Sequence, residues 1–582
     1  MVFFRKKNAA GNGPRDRAAF RPAKETGPLP LPPERHIFLT GFMGAGKSTV
    51  GPILAGLLGR PFLDLDGEIE KAEGAAVHEI FADPRGGEAR FRKLEADLIR
   101  GLVASRTFPG VVALGGGAVE DPQTRRLLKS SVNCFFLQAE EPILWERASR
   151  EGQLRERPLA KDREEFRKRL SRRLPLYRSC GMPVDSGASS PAEAAHAIVR
   201  LLFSGLSGGL SVRLDQPSAL SAWPDLDSLS HSIAGRLSGR RTLLLLDPAL
   251  RSEEPFWTAF LGEGSVAYPE RRGEAAKTFA SAESILHILA ARSFDRSDWL
   301  LARGGGSLTD LAAFCAGVFK RGIKLLLMPT TLLAAVDASV GGKAAVNFAG
   351  AKNQCGIFYL PDEVLIEGEV LRRLPRSLVE EGLSEAYKTG LVLDPDLSGL
   401  IAREIESLLP PEGAPGPDLP LLLETAWRGA SLKAGVVSED FREETGRRAV
   451  LNFGHTFGHA AESYYSQAEV PLSHGRAVAY GMAAALVLSE RAWGLDPGFA
   501  REARSVCLRL SRGGYPPIPP REDLSRLFLA DKKARHGKLK FIALKAPGEP
   551  ALADLDPEDL IRAAEEAVRE AKAREIRPWS RL

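Results

Sequence analysis

Apolar positions along this chain follow two rhythms. From His36, short apolar runs alternate with helical stretches. Ile37-Phe38-Leu39-Thr40, Pro61-Phe62-Leu63-Asp64, Val111-Val112-Ala113-Leu114 and Asn133-Cys134-Phe135-Phe136-Leu137 are predicted strands, and residues 48–58 are a predicted helix. The pattern restarts with Thr242–Leu246, Trp299-Leu300-Leu301-Ala302 and Lys324-Leu325-Leu326-Leu327-Met328. Strands alternating with helices indicate a parallel sheet. After about Pro375 the strand signals fade, and long helical stretches such as 376–391 and 474–491 take over. The expectation is therefore α/β: a parallel-sheet domain, a second α/β domain, and an α-helical part.

Length and composition sharpen this. At about 150 residues per domain, 582 residues make three to four domains. A hydrophobic content of 44% with 26% charged residues excludes a mainly disordered chain. The net charge is +5, and the first 35 residues account for it, with eight Lys/Arg against three acids. The body is neutral, so no nucleic-acid partner is expected, and any local basic patch suits a small anionic substrate. The five cysteines are widely spaced and form no CxxC, which fits free thiols in a reducing cytoplasm. No apolar run reaches membrane-spanning length, and Met1–Lys7 lacks the apolar core of a signal peptide. The chain divides into a basic, Pro-rich tail (1–33), a first domain (34–203), a Gly/Ser linker (204–211), an α/β part (212–374), a helical part (375–568) and a short tail (569–582).

Two sets of residues carry chemistry. Gly41-Phe42-Met43-Gly44-Ala45-Gly46-Lys47-Ser48 fits GxxxxGK[ST] between a predicted strand and a predicted helix. Glycines let the backbone of Gly44, Ala45, Gly46, Lys47, Ser48 and Thr49 wrap phosphates. Lys47 neutralises their charge, and the Ser48 hydroxyl can hold Mg²⁺. Asp64 and Asp66 follow at the end of the second strand, two apart and so on one side of it. One can organise Mg²⁺ and water while the other accepts hydrogen bonds from a substrate hydroxyl. Then come Phe91-Arg92 with Glu95, Gly115-Gly116-Gly117, Arg157-Pro158-Leu159 and Arg173.

In this order the motifs resemble shikimate kinase. The resemblance implies ATP as phosphoryl donor, with Mg²⁺ on Ser48 and Asp64. It implies shikimate held by Asp66, Arg92, Gly116 and Arg173, with the arginines on its carboxylate. Arg157 would close a lid over the transferring group. Arg147 and Arg150 both remain open for the adenine contact.

In the rear half, His455 and His459 lie four apart on one helical face, His474 opens the next helical stretch, and Glu385 lies upstream. A glutamate and two histidines form a common catalytic zinc set. The preceding α/β part supplies Arg272-Gly273-Glu274-Ala275-Ala276-Lys277, Gly304-Gly305-Gly306 with Asp310, Pro329-Thr330-Thr331, Asp337, Lys343 and Lys352-Asn353.

As an ordered set these look like 3-dehydroquinate synthase. The resemblance implies zinc (or cobalt) on Glu385, His455 and His474. It implies NAD⁺ against Arg272, Gly273, Glu274, Lys277, Gly305 and Gly306, and against Asp310, Thr330, Thr331, Asp337, Lys343 and Lys352. Its substrate would be 3-deoxy-arabino-heptulosonate 7-phosphate. That flexible anion would meet Lys343, Lys352, Asn353, Lys388, Lys433, Arg448, Asn452, His459 and one of Lys532 and Lys533, the latter preferred. Oxidation by NAD⁺, phosphate elimination, re-reduction and aldol closure would follow without net redox. The family suggests a homodimer through this half.

One departure stands out. Arg476 follows His474-Gly475 where the family usually has Glu, which places a reversed charge in the sequence beside a proposed ligand. The whole reading is a bifunctional enzyme of the shikimate pathway, soluble and cytoplasmic. The alternatives are another small-metabolite kinase fused to a related cyclase or polyol dehydrogenase, or a scaffold with degenerate sites.

Overall fold

A computed structural model describes residues 36–573, except 59, 84–86, 105–109, 131–132, 151–162, 206–209, 214–217, 412, 467, 469–470, 513, 531–533 and 536–537. The basic tail, Arg157, Lys532 and Lys533 lie outside the described residues.

The first unit is a parallel sheet of β1 (Ile37–Thr40), β2 (Phe62–Asp64), β3 (Val111–Ala113), β4 (Cys134–Gln138) and β5 (Met182–Asp185), in the order β2-β3-β1-β4-β5. β1 is buried along its whole length, as an unbroken apolar run in a covered parallel sheet requires. From β1 the chain moves to one side for β2 and β3, then crosses to the other for β4. The loop after β1 thus opens at the point where strand order reverses, the usual ligand crevice of such sheets. It ends in the helix Lys47–Leu58. Gly44 has φ 79°, and a Cβ there would collide with the Leu144 carbonyl oxygen, so only glycine fits.

The second unit has β6 (Leu210–Arg213), β7 (Ala219–Trp223), β8 (Thr242–Leu246), β9 (Val266–Ala267), β10 (Trp299–Gly304) and β11 (Lys324–Pro329). The hairpin β12 (Lys343–Phe348) and β13 (Ala351–Phe358) precedes β14 (Glu363–Glu367). The sheet order is β6-β7-β14-β11-β10-β8-β9. Register aligns Leu244, Leu301 and Leu326 across three strands, and Leu245, Ala302 and Leu327 one residue on. The first row joins a small core with Trp223 and Trp257, and the second faces the main core. Period-two geometry sends the two rows to opposite faces. The chain goes outward from β8 to β9 and returns at β10, so β8 and β10 flank a second crevice. The helix Gly306–Val318 starts there.

The Gly/Ser stretch expected as a linker over 204–211 is shorter than that. A helix runs through Pro191–Gly205 and β6 begins at Leu210. β6 pairs antiparallel with β7, extending the second sheet.

The last part is built on the helices Arg376–Leu393, Leu419–Glu439, His455–Tyr465 and His474–Trp493. The last two cross backbone against backbone. A Cβ on Gly458 would lie 2.8 Å from the Ala477 carbonyl oxygen, and one on Gly454 2.6 Å from the Met482 amide. That close crossing sets His455 beside His474. A three-stranded antiparallel sheet, β15 (Ala534–Arg535), β16 (Lys538–Ala546) and β17 (Glu549–Leu555), also packs in this part. The apolar stretch Phe541-Ile542-Ala543-Leu544 in β16 was the available strand signal.

The two halves share one continuous apolar core. The helix Pro191–Gly205 packs on both Lys47–Leu58 and Leu419–Glu439. At the joint, His196 Nδ1 lies 3.3 Å from Glu424 Oε1, and Arg428 lies 3.7 Å from the same oxygen. Arg428 also donates to Asp394 at 2.7 Å. His196, Glu424 and Arg428 are all buried.

Candidate active sites

The loop residues Gly44–Thr49 line a cavity of ≈ 520 Å³ with Asp64, Asp66 and Gly116. The Ser48 hydroxyl donates to Asp64 Oδ2 at 2.9 Å, so the two expected Mg²⁺ residues are already side by side. Lys47 Nζ donates to the Gly41 carbonyl at 2.9 Å, inside the loop. This is a cradle of amides and a cation around open space, the donor set a polyphosphate needs.

A second cluster adjoins it. Two glycines of the triplet are crowded by side chains. A Cβ on Gly115 would meet Glu95 and Asp66, and one on Gly117 would meet the Arg92 guanidinium. Arg92 donates to Glu95 Oε2 at 2.6 Å. Arg173 donates to Glu120 Oε2 at 2.9 Å, which leaves its Nη1 edge toward Gly116. Tyr177 donates to the Gly116 carbonyl at 2.5 Å and pins the triplet to the helix that carries Arg173. Two guanidiniums and Asp66 therefore surround one backbone turn. Arg147 donates to the Ser186 and Gly187 carbonyls.

Burial pushes the Glu95 carboxyl up to about 7, and the neighbouring Arg92 only partly offsets it. A carboxyl raised above its unfolded value near 4.5 holds its proton more tightly in the folded chain. Stability is thus fullest below that value and falls as pH rises towards 7. Urea denaturation at pH 5 and pH 8 should show a smaller loss for Glu95→Gln than for the parent. An equal loss would mean that Glu95 is ionised throughout.

In the rear half, a cleft of ≈ 970 Å³ runs between the α/β and helical parts. Its α/β wall carries Glu274, Lys277, Gly306, Asp310 and Asp337, with Lys343, Lys352 and Asn353 from the hairpin; Lys433, Arg448, His459 and His474 line the other side. Lys277 donates to Asp310 at 2.7 Å and to Asn353 at 2.6 Å. Glu274 accepts from Ser307 and Asn347. Burial raises Asp310 to about 6, against the pull of Lys277. Gly305 caps the helix Gly306–Val318, whose amide end faces the β8/β10 crevice, a place suited to pyrophosphate. Thr330 donates its backbone amide to the Gly304 carbonyl at the end of β10, and the Thr331 hydroxyl accepts from the Ala334 amide in the turn that follows β11. Arg272 turns instead to Asp247, 3.7 Å away.

The residues expected to meet the anion are held by short contacts. Lys433 Nζ donates to the Asp337 carboxylate at 2.6 Å, and Arg448 to the Gly341 and Phe441 carbonyls. Lys343 pairs with Glu443. Asn452 ends the short helical turn Arg447–Asn452, just before the His455 helix.

Glu385, His455 and His474 converge at the floor. Nε2 of His455 and of His474 lie 3.5 and 3.3 Å from Glu385 Oε1, an oxygen buried without a hydrogen-bond partner. Two imidazole nitrogens beside one orphaned buried oxygen make three donor atoms, which fit a tetrahedral divalent ion with a position left for substrate. Burial would raise Glu385, but Lys388, 2.5 Å away, and the imidazoles hold it well below the usual range. Burial and Lys388 hold His455 well below 6.5, so it is neutral and ready to ligate. Burial opposes charge on His474, yet Glu385 and Glu462 outweigh it and push its pKa up to about 10 in the metal-free chain. A bound cation must displace that proton.

Family models match both halves. Residues 43–203 match shikimate kinase, 268–381 the 3-dehydroquinate synthase N-terminal model, and 382–534 the 3-dehydroquinate synthase C-terminal model. A bifunctional shikimate kinase/3-dehydroquinate synthase of Thermotoga maritima is 34% identical over 532 residues, covering 90% of this chain and 99% of that one. This chain belongs to that bifunctional family. Two solved structures share the rear fold. A 2-epi-5-epi-valiolone synthase from Streptomyces hygroscopicus with NAD⁺ and Zn²⁺ bound has TM-score 0.52 and 25% identity, over 62% of this chain and 98% of its own. A 2-deoxy-scyllo-inosose synthase complexed with carbaglucose-6-phosphate, NAD⁺ and Co²⁺ has TM-score 0.53 and 23% identity, over 62% and 99%. The chain is thus a shikimate kinase joined to a 3-dehydroquinate synthase.

Several residues that brace the two sites had no role assigned from sequence, although Glu95 stood among the motif residues. In the kinase half, Glu95, Glu120 and Tyr177 hold the arginines and the glycine turn. In the synthase half, Ser307 and Asn347 hold Glu274, and Glu462 holds His474. Glu95, Tyr177 and Glu462 sit inside motif stretches; the others are polar residues in ordinary helical or strand contexts. Arg476, expected to disturb the metal's surroundings, turns away instead and donates to the Ser511 carbonyl at 3.4 Å. Among the described residues, no helix is long and apolar enough to cross a membrane.

Proposed function

We propose that the kinase half transfers the γ-phosphoryl group of ATP to the 3-hydroxyl of shikimate with Mg²⁺ on Ser48 and Asp64. We propose in parallel that the synthase half converts 3-deoxy-arabino-heptulosonate 7-phosphate to 3-dehydroquinate and phosphate. The observation that carries the second reading is the convergence of Glu385, His455 and His474 beneath a cleft lined with cations. When bound there, NAD⁺ accepts and returns a hydride, and zinc or cobalt acts as a Lewis acid.

The chain's own residues do the rest. Lys343, Lys352, Lys433 and Arg448 bind and orient an open-chain phosphate ester, whose charge the cleft neutralises. Lys388 stays beside Glu385 and supports its ionised state. His459, on the helix face that carries His455, offers an imidazole for proton movement near the cleft. In the kinase half Asp66 accepts from the reacting hydroxyl, and Arg92 and Arg173 take the carboxylate.

One assay on the purified chain tests both. With heptulosonate phosphate, NAD⁺ and zinc it should release phosphate without net NADH. With shikimate, ATP and Mg²⁺ it should yield ADP. Net accumulation of NADH would replace the synthase reading with a polyol dehydrogenase.

A further inference from the structure

We infer that Glu462 is a positioning residue for His474, and that its carboxylate links this ligand across the cleft to Lys352. Resting on the metal reading above, the inference adds the group that orients one ligand. Glu462 Oε2 accepts from His474 Nδ1 at 3.0 Å, while Nε2 of the same ring faces Glu385. An imidazole with its proton fixed on Nδ1 presents its lone pair at Nε2, where His455 and Glu385 meet. The N-cap of the His474 helix, Ser473, makes no side-chain capping hydrogen bond, so the cap does not fix this turn. Glu462 does so from the neighbouring helix. It lies seven residues after His455, two turns on, and so shares its face. One helix therefore supplies a ligand and aims another.

The second carboxylate oxygen of Glu462 lies 3.9 Å from Lys352 Nζ. Lys352 belongs to the β12–β13 hairpin of the α/β part, and Glu462 to the helical part. The carboxylate thus faces a substrate-binding cation with one oxygen and the metal's ligand with the other. His459, Glu462 and His474 also lie close enough to hold an ion themselves. That would take His474 Nδ1 as a donor atom and break its hydrogen bond. The same ring would then have to serve two metals, which requires loss of both its protons.

The experiment is zinc titration of the full-length chain after chelator treatment, read by competition with a chromophoric chelator. Glu462→Ala should raise the zinc Kd about 10–100-fold. Glu462→Gln keeps an accepting oxygen and should raise it by less than Glu462→Ala does. Lys352→Met should leave it within twofold, because Lys352 reaches only the far oxygen. In Co²⁺-substituted protein, Glu462→Ala should also shift the d–d spectrum. Retained ADP formation from shikimate and ATP reports a folded chain in each variant. A parent chain that binds no zinc would sink the ligand reading itself. A parent that binds zinc, with Glu462→Ala binding equally well, would overturn only this inference. A Lys352→Met effect as large as that of Glu462→Ala would reduce the role of Glu462 to net charge and overturn it too. So would two zinc ions per parent chain, one of them lost in Glu462→Gln, since Glu462 would then be a ligand.

Discussion

Replacing His455 with alanine should strip zinc from the chain and sharply slow phosphate release from heptulosonate phosphate, while ADP formation from shikimate continues. Two protein ligands would remain, and Lys388 already lies 2.5 Å from Glu385 Oε2. Without the second imidazole, that lysine is free to neutralise the buried carboxylate outright, and a cation gains little by displacing it. Lewis-acid stabilisation is worth several kcal/mol, so the synthase rate should fall roughly 10³-fold. Metal analysis of the purified variant and a phosphate-release assay check this together. Lost activity with undiminished zinc would remove His455 from the ligand set.

The mirror experiment is Lys47→Ala. It should lower ADP formation by about 10²–10³-fold or more, the scale on which one charge-stabilising donor acts in a closed site. Synthase turnover should stay within twofold, because the two cavities share no lining residue. Lys47 Nζ donates to carbonyls of its own loop, so it is positioned by the loop and adds little to the remaining core. Both rates measured on one preparation decide the matter. Loss of both activities would mean that the halves communicate.

What was legible in the sequence was the part with local signatures. The loop 41–48 needs glycines at fixed offsets, and parallel strands need apolar runs, so both appear as patterns. The metal set was legible because His455 and His474 open consecutive helices and Glu385 lies in a recognisable stretch. What stayed hidden depends on contacts distant in sequence. Glu120 matters only because Arg173, 53 residues later, folds onto it. The orientation of Arg476 depends on Ser511, 35 residues on. β16 was missed although Phe541-Ile542-Ala543-Leu544 lies within it, because long helices dominated the surrounding pattern. The Gly/Ser joint looked like a spacer over 204–211 by composition, yet a helix reaches Gly205 and a sheet strand begins at Leu210.

That joint has a practical side. A gene cut between codons 205 and 210 would bare the face on which the helix Pro191–Gly205 packs against Leu419–Glu439. The rear fragment would carry Glu424 and a stripe of greasy side chains newly exposed to water. The front fragment would present His196 amid its own uncovered apolar patch. Each piece would show water a face that the other now covers.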